Sequence, residues 1–231
     1  DLMSVEFGVG YSGVFAPYLV FESYAWMHSV YGAFNDLNSI MTSFRGRFYD
    51  TVIPNYFEVE DFPFSDKKDD YYLFMGRLIE NKGYGIAVDV CKKLNKRLII
   101  AGQGVPPEFG EYVGTVGPKE RGELMSKAKA VFVPTLYLEP FGGVAAEAML
   151  CGTPIITTDW GAFPENNIQG VTGYRCRSMK DFRDAVKKVD KLDYKAIRDY
   201  AVSKFSTEVV AKQYEDYFKR LLTLHGKGFY S

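Results

Sequence analysis

Glu139-Pro-Phe-Gly-Gly-Val-Ala-Ala-Glu147, running on as Ala148-Met-Leu-Cys-Gly-Thr-Pro154, decides how this chain is read. Gly142 and Gly143 stand where a loop turns into a helix, Gly152 ends that helix, and Pro154 forbids its continuation. The N-terminus of such a helix presents N–H groups with no carbonyl behind them and a partial positive charge, which suits a diphosphate. Glycines there let the backbone approach phosphates closely. Glu147 follows Gly143 by four residues and lies one turn deeper on the same helix face. A carboxylate at that place can accept from both hydroxyls of a ribose. Glu139, in the loop ahead, faces the phosphates from the other side and can reach a sugar. Two glutamates alone would read as solvated side chains. The glycines, the helix stops and a second motif make them more than that.

The second motif is Gly76-Arg77-Leu-Ile-Glu-Asn-Lys82-Gly83. It follows the buried-strand pattern Tyr71 to Met75 and leads into an amphipathic segment, Tyr84 to Leu94. Two cations around a helix start can clamp a diphosphate leaving group and neutralise its growing charge. Standing alone, Arg77 and Lys82 would be two solvated surface cations.

Working outward, short apolar runs recur at 97–102 (RLIIAG), 111–116 (EYVGTV), 130–134 (AVFVP), 154–157 (PIIT) and 172–176 (TGYRC). Strands alternating with helices predict an α/β fold with a Rossmann-like parallel sheet flanked by helices. Such sheets bind ligands at the carboxyl ends of their strands, here the loops after Met75, Ile100, Val116 and Val133. Three helices close the chain. Ser178 and Asp181 have capping-box spacing for the first. The second runs from about Tyr194 to Lys204, and the last starts at Ser206 with Val210, Tyr214, Tyr217 and Leu221 on one face. Residues 1 to about 60 differ: they are aromatic and glycine-rich, and give at most one or two strands and one helix near Ser23 to Tyr31. The charged run at 66–70 (DKKDD) reads as a solvated connector.

GRLIENKG, AGQG and EPFGGVAAEAMLCGTPIITTDWGAFPENNIQGVTG together resemble family 4 of the glycosyltransferases. The likeness runs from about Val52 to the C-terminus. VFESYAWMHSVYG at 20–32 and VIPNYF at 52–57 resemble the end of that family's N-terminal domain and its interdomain linker. The resemblance implies the C-terminal half of a GT-B fold with a partial N-terminal domain. Residues 1–60 would be the N-terminal remnant and linker, 61–205 the nucleotide-sugar-binding domain, and 206–231 a helix crossing back toward the N-terminal domain. It also implies retaining transfer of a hexose-type sugar from a nucleotide diphosphate to a glycan or other acceptor. Carried over by position, Arg77 and Lys82 hold the diphosphate and Glu139 bonds the donor sugar. Phe141, Gly142 and Gly143 contact sugar and phosphate through the backbone, and Glu147 bonds the ribose. Val116 borders the base with Leu124 packing nearby, and Gly76 and Val144 complete the donor-binding set. A histidine that the family carries near the reacting centre has no counterpart here.

No DxD-type acidic motif follows a strand, the Asp69-Asp70 pair lies in the connector, and there is no metal-ligand spacing, so neither metal nor cofactor is expected, and the cations are expected to replace a metal. Cys91, Cys151 and Cys176 are too scattered for a metal cluster with two histidines, and a reduced, cytoplasmic chain is the plain reading. A net charge of −1 gives no basic surplus for nucleic acid, and no apolar run is long enough to span a membrane. The first residue, Asp1, is expected to mark a piece of a longer enzyme, completed by a missing N-terminal half or a partner chain. A donor-binding subunit unable to transfer sugar alone, and a nucleotide-sugar epimerase of the same architecture, are the alternatives. Gly8-Val-Gly10-Tyr-Ser-Gly13 matches a dinucleotide fingerprint, but Pro17 falls where its helix should run, so a turn is expected. Glu6 is a candidate for the interdomain cleft.

Overall fold

The computed structural model describes residues 3–8, 16–34 and 49–224. The first segment forms β1 (Val5–Phe7), β2 (Tyr18–Phe21), α1 (Tyr24–Phe34) and β3 (Thr51–Val52), with the strands parallel in the order β1-β2-β3. One strand more is present than the sequence pattern predicts. The two residues of β3 run straight into Ile53-Pro54, too short a stretch to show period-two alternation. Leu19, Phe21, Trp26 and Val30 pack together between β2 and α1, so Trp26 is a core residue. Most of the Gly8–Gly13 motif lies outside the described residues.

The rest is a doubly wound α/β unit. Its strands are β4 (Tyr72–Met75), β5 (Leu98–Ala101), β6 (Glu111–Gly114), β7 (Ala130–Val133), β8 (Ile155–Thr158) and β9 (Gly173–Cys176). Between and after them run α2 (Tyr84–Leu94), α3 (Pro118–Lys127), α4 (Gly143–Leu150), α5 (Phe163–Asn166), α6 (Met179–Val186), α7 (Tyr194–Phe205) and α8 (Thr207–Leu224). The sheet is parallel throughout, in the order β6-β5-β4-β7-β8-β9. Helices cover both faces, which is why the central strands read as unbroken apolar runs. Leu73 and Met75 of β4 join the core under α4 and α7, while Tyr72 and Phe74 join the core under α2 and α6. Ser178 caps α6 by accepting from the Asp181 N–H. Cys91, Cys151 and Cys176 are buried, and burial pushes each thiol up to about 12, so all three remain unreactive thiols. Among the described residues no helix is long and apolar enough to cross a membrane.

α8 leaves this unit and packs on the small sheet, where Val210, Tyr217 and Leu221 bury against Val20 and Ile53. Tyr217 is buried and donates its hydroxyl to the Tyr49 carbonyl at 2.7 Å. Its neighbours Tyr214 and Phe218 instead line an apolar cleft of about 320 Å³ with Phe7 and Tyr56.

Strand order reverses between β4 and β7, and the two loops leaving their carboxyl ends touch. The Leu136 N–H donates to the Asn81 carbonyl at 2.9 Å. Gly83 sits at φ +71°, and a Cβ there would meet the Pro134 carbonyl oxygen at 2.1 Å. Only glycine satisfies both demands. Gly83→Ala is therefore expected to cost about 3 kcal/mol or more in urea unfolding. Gly85→Ala, two residues on in α2 with open space around the added methyl, should be neutral or stabilising by about 0.5–1 kcal/mol. Equal midpoints for the two variants would show that the loop contact is not under constraint.

Candidate functional site

A cavity of about 40 Å³ opens at the point of reversal. Gly76 and Lys82 reach it from the loop after β4, and Thr135, Glu139, Gly142, Gly143 and Val144 from the segment after β7. Lys82 Nζ lies 3.0 Å from Glu139 Oε2, and Thr135 Oγ1 donates to the same oxygen at 3.0 Å. Lys82 also sits 4.8 Å above the Tyr137 ring. Burial alone would lower the Lys82 ammonium, but hydrogen bonding to Tyr137 and the Glu139 carboxylate outweigh it, so its pKa stands above that of ordinary lysine. Lys82 is thus a fixed cation in a half-buried place.

Gly142 forms the left-handed N-cap of α4 at φ +84°, where an added Cβ would strike the Phe163 ring at 2.7 Å. The turn points the open end of α4 into the cavity, where Gly143 and Val144 form its wall. An anion placed there meets first-turn N–H groups and the Lys82 ammonium together. Phe141 turns its ring away into the core, 6.2 Å from the Phe57 ring and 5.5 Å from that of Phe205, and its carbonyl accepts from the Asn166 side-chain amide at 3.0 Å.

Glu147 lies one turn further along α4 and is held by Arg121 of α3. The guanidinium donates through Nε to Oε2 at 2.6 Å, and its second nitrogen contacts the same oxygen. Oε1 accepts nothing from the described residues. Burial raises the Glu147 carboxyl above the ordinary glutamate range, and Arg121 opposes the rise. Arg121 was missed in the sequence because it belongs to another helix, 26 residues from its partner, with no spacing to betray it. Thr135 lies in the same loop, four residues before Glu139, and was missed because a single threonine in an irregular loop carries no periodic or motif signal.

Other expected residues stand apart. Arg77 is exposed, outside the cavity, and makes no ion pair among the described residues. Val116 lies beyond the end of β6, half-buried, and packs with Leu124 against the core under α4. The Leu124 carbonyl accepts from the Tyr71 hydroxyl at 2.7 Å. The AGQG loop borders Gly76–Leu78, with the Leu78 N–H donating to the Gln103 carbonyl at 2.8 Å. Glu6 is buried and accepts from the Ala16 N–H at 3.2 Å, so it supports its own sheet. His28 is exposed beside Tyr24, and His225 lies outside the described residues. Among the described residues no three His, Cys, Asp or Glu side chains gather as a metal ligand set.

The family model for glycosyl transferases group 1 matches residues 69–191. Glycogen synthase of Mycobacterium tuberculosis is 31% identical over 163 residues, which cover 60% of this chain and 39% of that protein. AviGT4, a glycosyltransferase involved in avilamycin A biosynthesis, superposes with a TM-score of 0.73 at 24% identity, covering 89% of this chain and 64% of its own. HepE of Anabaena, solved with UDP and glucose, gives 0.68 at 19% identity over 90% of this chain and 64% of its own. These structural likenesses establish the Rossmann-like GT-B fold. The chain spans well under two thirds of the curated relative's length.

The Arg121–Glu147 pair carries a prediction with a definite sign. Only the ionised carboxylate accepts from two hydroxyls, so nucleoside binding should weaken as pH falls through the raised Glu147 pKa. Removing the opposing cation in Arg121→Ala should move that fall-off to higher pH. Calorimetric titration of uridine diphosphate across pH 5–8 measures it; superimposable profiles for parent and variant would disconnect Arg121 from the carboxylate's charge.

Proposed function

The chain belongs to the group 1 glycosyl transferases, and on that premise we propose that it binds a nucleotide-diphosphate sugar at the cavity after β4 and β7 and passes a hexose-type sugar to an acceptor hydroxyl with retention. One observation carries the proposal: Lys82, Glu139 and the open N-terminus of α4 converge on one cavity, with Glu147 one helical turn away. The donor then runs in one direction. Its ribose hydroxyls meet Glu147, its diphosphate lies over Gly142–Val144 against Lys82, and its sugar hydroxyls meet Glu139. HepE, a protein of the same fold, has UDP-glucose in the structure of its complex, which supports this class of donor. Arg77 is exposed and follows Gly76, which lines the cavity; in this scheme its side chain reaches the outer phosphate oxygens.

The bond from the anomeric carbon to the phosphate oxygen lengthens toward an oxocarbenium-like state, and its electron pair leaves with the diphosphate. Lys82 and the N–H groups of α4 lie where that charge grows, which is where such groups lower a barrier most. The acceptor oxygen attacks from the face the diphosphate vacates. The acceptor's proton passes to the departing phosphate oxygen, so the new bond keeps the original configuration and no separate base is required. The cations take the place of a metal in this scheme.

A second reading is a donor-binding unit that needs another chain or segment for transfer. The apolar cleft of Phe7, Tyr56, Tyr214 and Phe218 favours it, because large apolar patches mark surfaces that are covered in the working protein.

Lys82→Ala should weaken uridine diphosphate binding by about 1.5–3 kcal/mol, roughly tenfold to more than a hundredfold, and leave uridine binding almost unchanged. Glu147→Gln should weaken both ligands, and less for their 2′-deoxy analogues. Equal losses for uridine and its diphosphate in Lys82→Ala would remove the lysine from the diphosphate.

Titration with and without EDTA should give the same affinity for uridine diphosphate. A loss of about tenfold, 1.4 kcal/mol, on adding the chelator would put a divalent ion in the site and overturn the cation scheme.

A further inference from the structure

The backbone that carries Glu139 lies in a closed circuit of bonds among its own loop after β7, the segment that forms α5, and the N-terminus of α1. Glu165 closes that circuit and takes no part in lining the donor cavity. We propose that Glu165 is a positioning residue for donor-sugar recognition: by capping α1 from α5 it fixes the loop that presents Glu139. The proposal rests on the donor reading above, in which Glu139 meets the sugar hydroxyls.

The N–H groups of a helix's first turn have no intrahelical carbonyl and need partners from elsewhere. In α1, Ser23 Oγ accepts from the Trp26 N–H at 3.1 Å. The Tyr24 and Ala25 N–H groups go instead to Oε2 and Oε1 of Glu165, at 2.9 and 2.8 Å, across 141 and 140 residues of chain. Both oxygens of one carboxylate are engaged, and its charge meets the positive end of the helix. The first turn of α1 has no acidic residue of its own, so that charge is supplied by the doubly wound unit.

The same short segment holds Glu139. The Ala162 N–H donates to the Glu139 carbonyl at 3.0 Å, and a Cβ on Gly161 would meet the Glu139 nitrogen at 2.7 Å. Asn166 Nδ2, next to Glu165, donates to the Phe141 carbonyl at 3.0 Å. From the other side, the Ser23 hydroxyl donates to the Pro140 carbonyl at 2.5 Å, and Leu138 packs on the cluster of β2 and α1. Residues 138 and 140 are thus held by the small unit, and 139 and 141 by the α5 segment. A loop held by two supports keeps its place only as well as the supports keep theirs relative to each other, and Glu165 ties the two together. Glu147 and Arg121 take no bond from this circuit, so its effect falls on the sugar rather than on the nucleotide.

Calorimetry on the whole 231-residue chain tests this by comparing a nucleoside diphosphate with its sugar ester. UDP, GDP and ADP are screened beside UDP-glucose, GDP-mannose and ADP-glucose, and the pair that the parent binds is carried forward. Glu165→Ala should weaken the sugar nucleotide by about fivefold or more and the plain diphosphate by less than about twofold. Glu165→Gln, which keeps the side-chain length and one acceptor, should fall between the two. In a Glu139→Gln background, Glu165→Ala should add less than about twofold, since a residue that acts through another is silent once that other is gone. Tyr217→Phe removes a bond between α8 and the small unit outside the circuit, and should leave the ratio of the two affinities unchanged. Equal weakening of both ligands in Glu165→Ala, losses that multiply in the double variant, or the same shift in Tyr217→Phe would each reduce Glu165 to a support of the fold and overturn the proposal. The two readings fail separately. A parent that binds no nucleoside diphosphate, or a Glu139→Gln variant that holds the sugar nucleotide as the parent does, would sink the donor reading and the proposal with it. Sugar-nucleotide binding that depends on Glu139 and is untouched in Glu165→Ala would sink the positioning role alone.

Discussion

The reversal of strand order between β4 and β7 governs the rest of this molecule. On either side of that point, successive strands are added in opposite directions, so the chain leaves β4 one way and β7 the other. A crevice at the carboxyl ends follows from the topology itself. What the sequence adds is the means of holding its two lips at a fixed distance. Gly83 against the Pro134 carbonyl, and the Leu136 N–H on the Asn81 carbonyl, tie one loop to the other through backbone atoms. Lys82 precedes that glycine, and Glu139 follows that proline by five residues. Their 3.0 Å approach is a product of the tie rather than its cause.

The two carboxylates of the site share an arrangement that spacing alone does not reveal. Each is engaged through Oε2, Glu139 by Lys82 and Thr135 and Glu147 by Arg121. A half-buried carboxylate without a partner would tend toward its neutral form and would then accept fewer hydroxyls. A cation on one oxygen fixes the rotamer, and at Glu147 the guanidinium also opposes the rise in pKa that burial causes. On the proposed reading the site needs little rearrangement to receive hydroxyls, and preorganisation of this kind spares the ordering cost that binding otherwise incurs.

The sequence made much of this legible because the fold and the site share local signals. Buried parallel strands show as unbroken apolar runs, and β4, β5, β7, β8 and β9 lie within a residue or so of those runs. The glycine pair before α4 and the stop after it are read from neighbours in the chain, as is the Ser178 cap. What escaped was long-range or very short. β3 has only two residues, and Arg121 meets Glu147 from a different helix. Arg77 was grouped with Lys82 on spacing, and its side chain is exposed, outside the cavity lining. Glu165 gave no signal either, because the helix terminus it caps lies 140 residues away.

The loop that carries Glu139 is fixed from two directions, and the second comes from the small sheet. Leu138 packs into the cluster of Leu19, Phe21, Trp26 and Val30, and the Pro140 carbonyl accepts from the Ser23 hydroxyl at 2.5 Å. The same α1 terminus is capped across the boundary. Glu165 of α5 takes the Tyr24 and Ala25 N–H groups at 2.9 and 2.8 Å, a negative charge at the positive end of a helix. Residues on both sides of Glu139 are thus gripped by the first segment, while Ala162 and Gly161 hold its backbone from behind. Glu139, for which the proposed function has a donor sugar as ligand, is therefore the group whose position depends on both units at once, whereas Glu147 and Arg121 belong wholly to the doubly wound unit. On the proposed reading, the groups that would hold the ribose lie in that unit alone, and the one that would hold the sugar does not.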